Sequence, residues 1–64
     1  KMKVGDLCIY QNRKSQLPQV QWMNGCVVVI MEDWQPKHVK VMFLNTGLIV
    51  RACWVGHLEP METE

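Results

Sequence analysis

An all-β fold, closing as a small five-stranded barrel, is predicted by three features of this 64-residue chain. The apolar run Cys26-Val27-Val28-Val29-Ile30-Met31 is rich in β-branched residues, which pack well on a pleated surface, and it is bounded by Asn24-Gly25 and Glu32-Asp33. Two further β-prone runs, Val39 to Leu44 and Leu48 to Trp54, are joined by the tight turn Asn45-Thr46-Gly47. Three strands in meander order leave the flanking segments to close the barrel.

The first strand is Leu7 to Tyr10, entered through the turn signal Gly5-Asp6. Gln11 to Met23 is a long polar loop, and the alternation of Val20 and Trp22 with Gln19 and Gln21 predicts that it folds back as a ragged hairpin extension. The second strand follows Asn24-Gly25 and ends before a loop, Trp34-Gln35-Pro36-Lys37, whose proline cannot donate to a ladder. The third strand, His38 to Leu44, splits by parity into an inner set, Val39, Val41 and Phe43, and an outer set, Lys40, Met42 and Leu44. The fourth splits into Leu48, Val50, Ala52 and Trp54 inside against Ile49, Arg51 and Cys53 outside, arginine marking the outer face. Val55-Gly56-His57 suits a single 3₁₀-like turn, and Leu58-Glu59 a short closing strand. Residues 2–60 then make the one domain, with fraying from Pro60 and a flexible tail over 61–64. The predicted core is Val39, Val41, Phe43, Val50 and Leu58 with Val28 and Ile30.

Composition limits the function classes. The formal net charge is +1, and binding to nucleic acid in general or to anionic membranes needs a basic field that displaces counterions. Cys8, Cys26 and Cys53 leave at least one thiol unpaired and all lie in apolar runs, which predicts reduced cysteines and a cytoplasmic protein. Neither a signal peptide nor an apolar stretch of membrane-spanning length is evident, and Met2, after Lys1, reads as the natural start.

The order of elements resembles an SH3-like barrel. More narrowly, Lys3-Val4-Gly5-Asp6-Leu7, Val39-Lys40-Val41 with Asn45-Thr46-Gly47, and Gly56-His57-Leu58-Glu59 resemble the small SH3-like proteins often encoded by bacteriophages, across nearly the whole chain. The resemblance implies a phage-encoded protein of the bacterial cytoplasm. It leaves function open, since small barrels host unrelated activities. Peptide-binding SH3 domains carry acidic residues in the long first loop, whereas Gln11 to Met23 has none and holds Arg13 and Lys14, which disfavours basic proline-rich ligands. The plasmid-type dihydrofolate reductase, also an SH3-like barrel, uses a Val-Gln-Ile-Tyr stretch on a central strand. The corresponding strand here reads Ile49-Val50-Arg51-Ala52, so that enzyme is a distant third reading.

No motif points to catalysis, a metal or a cofactor. Cys8, Cys26, Cys53, His38 and His57 lack Cys-x-x-Cys spacing, and neighbouring Glu32 and Asp33 point to opposite sides of an extended chain. Glu59, Glu62 and Glu64 read as a solvating acidic tail. The aromatic residues carry more information. Trp22, Trp34 and Trp54, with Tyr10, fall in regions that an SH3-like barrel brings to one side, where they either plug the barrel ends or, if exposed together, anchor a partner. Trp22 and Trp34 fall in polar, turn-rich segments, so a partner-binding site is predicted from Tyr10, Trp22 and Trp34, rimmed by Arg13, Lys14 and His38 and suited to an acidic or polar-aromatic protein segment. The outer residues Met42, Leu44, Ile49 and Cys53 are too apolar for a face in water and predict a homo-oligomer interface. The alternative function is weak nucleic-acid binding through Arg13, Lys14, Lys37, Lys40 and Arg51 with stacking tryptophans.

Overall fold

Burial alternates without a break along His38–Phe43, with Val39, Val41 and Phe43 inside and the residues between them outside, as parity requires of a half-buried strand. That segment is β3 in the computed structural model, which describes residues 2–61. The other strands are β1 (Leu7–Tyr10), β2 (Val27–Gln35), β4 (Ile49–Trp54) and β5 (Leu58–Pro60). One helical turn, α1 (Pro18–Gln21), interrupts the β1–β2 connection, and a 3₁₀ turn over Val55–His57 links β4 to β5. All ladders are antiparallel, and together they make one sheet in the order β4-β3-β2-β1-β5. The sheet is not closed: β4 and β5 are its edges, with no ladder between them among the described residues.

One apolar core serves all five strands. It holds Cys8, Tyr10, Val28, Ile30, Val39, Val41, Phe43, Cys53 and Leu58, with Met23 from the long connection, and Val50 packs against it. Val28, Ile30, Val39, Val41, Phe43 and Leu58 are therefore inside as expected, with Val50 at the margin, whereas Leu48, expected inside on the fourth strand, precedes β4 and is exposed. The N-terminal turn docks on β2, Gly5 N–H donating to Ile30 O at 2.7 Å and Ile30 N–H to Asp6 O at 3.0 Å.

Four expectations need correction. First, β2 runs on through Glu32-Asp33-Trp34-Gln35, where a break and a loop are predicted. Gln35 pairs with His38, leaving Pro36-Lys37 as a two-residue turn, and register shifts at Met31 and Trp34 let the ladder continue through polar residues. Second, the long connection carries a helical turn in place of a hairpin extension. Pro18 stands at its first position with φ already helical, and the Leu17 carbonyl accepts from Val20 and Gln21 N–H. Third, the parity of β4 reverses partway. Val41 faces Val50 but Val39 faces Cys53, so β4 spends one extra residue opposite Lys40. Beyond that bulge Cys53 points inward, 4% exposed, while Ala52 and Trp54 point out. Cys53 is therefore unavailable to an oligomer interface. Fourth, Pro60 does not fray but pairs with Cys8, and Met61 N–H donates to Leu7 O at 3.2 Å. The rest of the tail, with Glu62 and Glu64, lies outside the described residues.

Candidate functional site

The base of the long connection is tied down at several points. Gly25 N–H donates to Tyr10 O and Tyr10 N–H to Cys26 O, while Asn12 N–H reaches the Asn24 side-chain oxygen at 2.7 Å. Gln11 N–H donates to His57 O at 2.7 Å, which fastens the connection to the 3₁₀ turn. The next residues turn back on themselves, Ser15 N–H meeting Asn12 O at 3.3 Å, and this holds Arg13 and Lys14 at the exposed tip of the turn. Two cations thus stand beside the 3₁₀ turn through backbone geometry rather than through an ion pair.

Across from them is Trp54, at the end of β4. Its six-membered ring covers Gly56 so closely that a Cβ there would overlap it, and its face meets the His57 ring edge-on at a centroid distance of 5.2 Å. His57 in turn packs edge-on against Tyr10 at 5.7 Å. Gln11, Arg13, Lys14, Trp54, His57 and Glu59 line a groove of about 350 Å³ whose floor includes Gly56. It offers a large planar apolar surface with two cations and one carboxylate in its lining. Such a groove can receive an extended chain segment, stack a flat or cyclic side chain on the indole and pair an acidic group with Arg13 or Lys14.

The residues expected to form one site are divided by the structure. Arg13 and Lys14 lie on the groove. Tyr10 is only 7% exposed and belongs to the core, its ring 5.4 Å from that of Phe43 and its hydroxyl accepting from Asn12 Nδ2 at 3.3 Å. Trp22 leans on Phe43 at 5.8 Å, and Trp34 meets His38 edge-on at 6.4 Å. Phe43 and His38 are opposite ends of β3, on the order of 16 Å apart at about 3.3 Å per residue, so Trp22 and Trp34 do not share a pocket. All three indoles are half in solvent, Trp22 at 44%, Trp34 at 56% and Trp54 at 48%. None is buried in the core, although Trp22 covers Phe43 from outside.

Trp34 lines a second hollow, of about 310 Å³, with Glu32, Lys40 and Arg51. The Lys40 ammonium lies 3.7 Å from Glu32, a cross-strand pair open to water and worth no more than about 1 kcal/mol. His38 faces Trp54 in the β3–β4 register, so the Trp34 hollow and the Trp54 groove adjoin at that end of the sheet.

Sequence reasoning counts Trp54 among the candidate aromatics but leaves it out of the predicted site, and it misses His57, Gln11 and Glu59 as groove residues. Trp54 was hidden by the bulge, which turns an expected inward residue outward. Gly56 between Trp54 and His57 was the available signal, since a glycine flanked by large rings marks a close approach as readily as a turn. Burial pushes the thiol of Cys53 up to about 11, helped by neighbouring Cys8, and burial, then Asp6, raises that of Cys8. Both are protonated, inert core groups. Among the described residues no three His, Cys, Asp or Glu side chains gather as a metal would require, and no helix is long and apolar enough to cross a membrane. Comparison with family models, with curated proteins and with solved structures finds no match.

Proposed function

We propose that this chain is an SH3-like small barrel acting as a non-enzymatic protein-binding module, of the kind bacteriophages encode for use in the bacterial cytoplasm. The strand order and the 3₁₀ turn before β5 support the barrel. So does the core: Cys8 on β1 and Cys53 on β4, three ladders apart in the sheet, belong to one buried cluster, as happens when a sheet curls round.

The observation that carries the binding function is Trp54, held over Gly56 on the floor of a groove beside Arg13 and Lys14. Exposing half an indole has a cost in water, and a rigid aromatic in a groove is the usual anchor of a protein interface. The partner segment is extended and acidic, with a flat or cyclic side chain for the indole. Selection of displayed peptides against the folded protein is expected to enrich such segments. Trp54→Ala is expected to lower affinity by roughly 2 kcal/mol, a factor of about 30, while keeping the far-ultraviolet dichroism of the folded parent. Selection that proceeds equally well on Trp54→Ala overturns the reading.

A second reading, weak binding of single-stranded nucleic acid, draws on one observation: Arg13 and Lys14 flank Trp54 while Lys40 and Arg51 flank Trp34, at adjoining sites. Stacking rings between cations suit bases and phosphates. Glu59 lines the Trp54 groove and Glu32, beside Trp34, engages Lys40, so each ring also has a carboxylate for a neighbour, which favours the protein partner. Titration with a single-stranded oligonucleotide separates the two, since phosphate contacts make affinity fall steeply with salt.

A further inference from the structure

The outer face of the sheet carries a row of apolar side chains that crosses four strands. Leu7 on β1 pairs with Val29 on β2, Val29 with Met42 on β3, and Met42 with Ile49 on β4. A shorter row runs beside it, where Ile9 pairs with Val27 and Leu44 N–H donates to Val27 O. No charged residue interrupts either row. Leu7, Leu44 and Ile49 are 43%, 50% and 45% exposed, so this is open apolar surface rather than the margin of the core.

We infer that this face is a self-association surface, and that its occupant is a second copy of the chain packed face to face about a two-fold axis. An isologous contact requires one patch to hold both a projection and a recess that fits it. Here Ile49 and Leu7 project, and beside them Cys26, Val27, Leu44 and Asn45 line an apolar hollow of about 400 Å³. The rows themselves are uncharged; of the two cations that flank them on this face, Lys40 is paired with Glu32, which leaves Arg51 at the margin as the one like charge that two copies bring together. A standard stable interface buries roughly 800 Å² per partner, about a sixth of the 4728 Å² surface of this chain and more than one or two rows of half-exposed side chains supply, which sets the expectation of a reversible, concentration-dependent dimer. None of these residues lines the Trp54 groove, so a dimer keeps two free grooves and binds a partner with two copies of the target segment more tightly than one copy alone.

Sedimentation velocity from low to high micromolar concentration tests this without reference to the groove. The unaltered protein is expected to pass from monomer to dimer over that range. Ile49→Asp is expected to stay monomeric while keeping the far-ultraviolet spectrum of the parent, and Leu44→Gln, a milder change at the hollow, is expected to weaken the dimer if Ile49→Asp does not fold. Gln19→Asp, on exposed α1, is expected to dimerise like the parent. A parent that remains monomeric at high micromolar concentration overturns the proposal, as does a dimer untouched by Ile49→Asp and Leu44→Gln. A monomer that floats with neutral phosphatidylcholine vesicles and loses that property in Ile49→Asp replaces the second copy with a lipid surface, and also overturns it. Failure of peptide selection alone strikes the groove and leaves the dimer standing.

Discussion

Phe43 is the residue on which the core turns. Its side chain is fully buried, and the rings of Tyr10 and Trp22 close on it from two directions. Truncation to alanine leaves a cavity that such a small domain has few means of collapsing, and Phe43→Ala is expected to cost about 3–5 kcal/mol. A chain of 64 residues has roughly 3–10 kcal/mol in total at about 0.05–0.15 kcal/mol per residue, so the variant should be largely unfolded or should melt at least 12 °C or so lower. Urea titration of parent and variant measures the difference. Cys53 makes a separate prediction. Its folded-state pKa of about 11 lies above the roughly 8.5 of a free thiol, so the unfolded chain releases its proton first as pH rises. Its contribution to stability is whole below about pH 8.5 and declines through about pH 11, by on the order of 3 kcal/mol. The check is the change in urea midpoint between about pH 8 and about pH 10.5, which should be clearly smaller in Cys53→Ala than in the parent.

At the scale of elements, the legibility of the sequence depended on whether a strand kept its parity. β3 alternates cleanly, and its inner set was readable because lysine stands in the outer set. β4 carried the same kind of signal and was misread beyond Arg51, because a bulge adds a residue without leaving a mark such as glycine or proline. β2 was read too short for a related reason: Glu32, Asp33 and Gln35 have loop chemistry, but they pair with Lys40, Val39 and His38 across the hairpin, and the ladder does not depend on side-chain polarity. The site was half legible. Arg13 and Lys14 were found from charge in a loop, whereas Trp54 needed the bulge and His57 needed the fold to bring the 3₁₀ turn to the loop base. Gly56 offers the test at this scale. Its backbone is not in the left-handed region, so Gly56→Ala adds no dihedral strain and acts only by displacing the Trp54 ring. Overpacking against an exposed, movable ring should cost about 1 kcal/mol, or a fall of roughly 4–8 °C in melting temperature. Peptide affinity should fall as far as it does in Trp54→Ala, with a change in near-ultraviolet dichroism reporting the moved indole.

For the whole molecule, the lack of a ladder between β4 and β5 among the described residues has a thermodynamic counterpart. An open sheet whose two ends packed separately would let the β3–β4 end loosen before the β1–β5 end. A single core shared by all strands forbids that, because Cys53 and Val39 from one end and Cys8 and Leu58 from the other bury one another, and neither end keeps enough apolar contact to stand alone. The tryptophans happen to report on three regions: Trp22 follows α1, Trp34 sits near the tip of the β2–β3 hairpin, and Trp54 ends β4 beside the 3₁₀ turn. Three variants, each retaining one tryptophan with the other two replaced by phenylalanine, turn them into local probes. Their fluorescence transitions in urea, each set against the far-ultraviolet dichroism of the same variant, are expected to coincide with it in midpoint and slope. A Trp34 transition at clearly lower urea than the dichroism of its own variant would mean that the β2–β3 hairpin end opens on its own, and the shared core would then not reach as far as Val39.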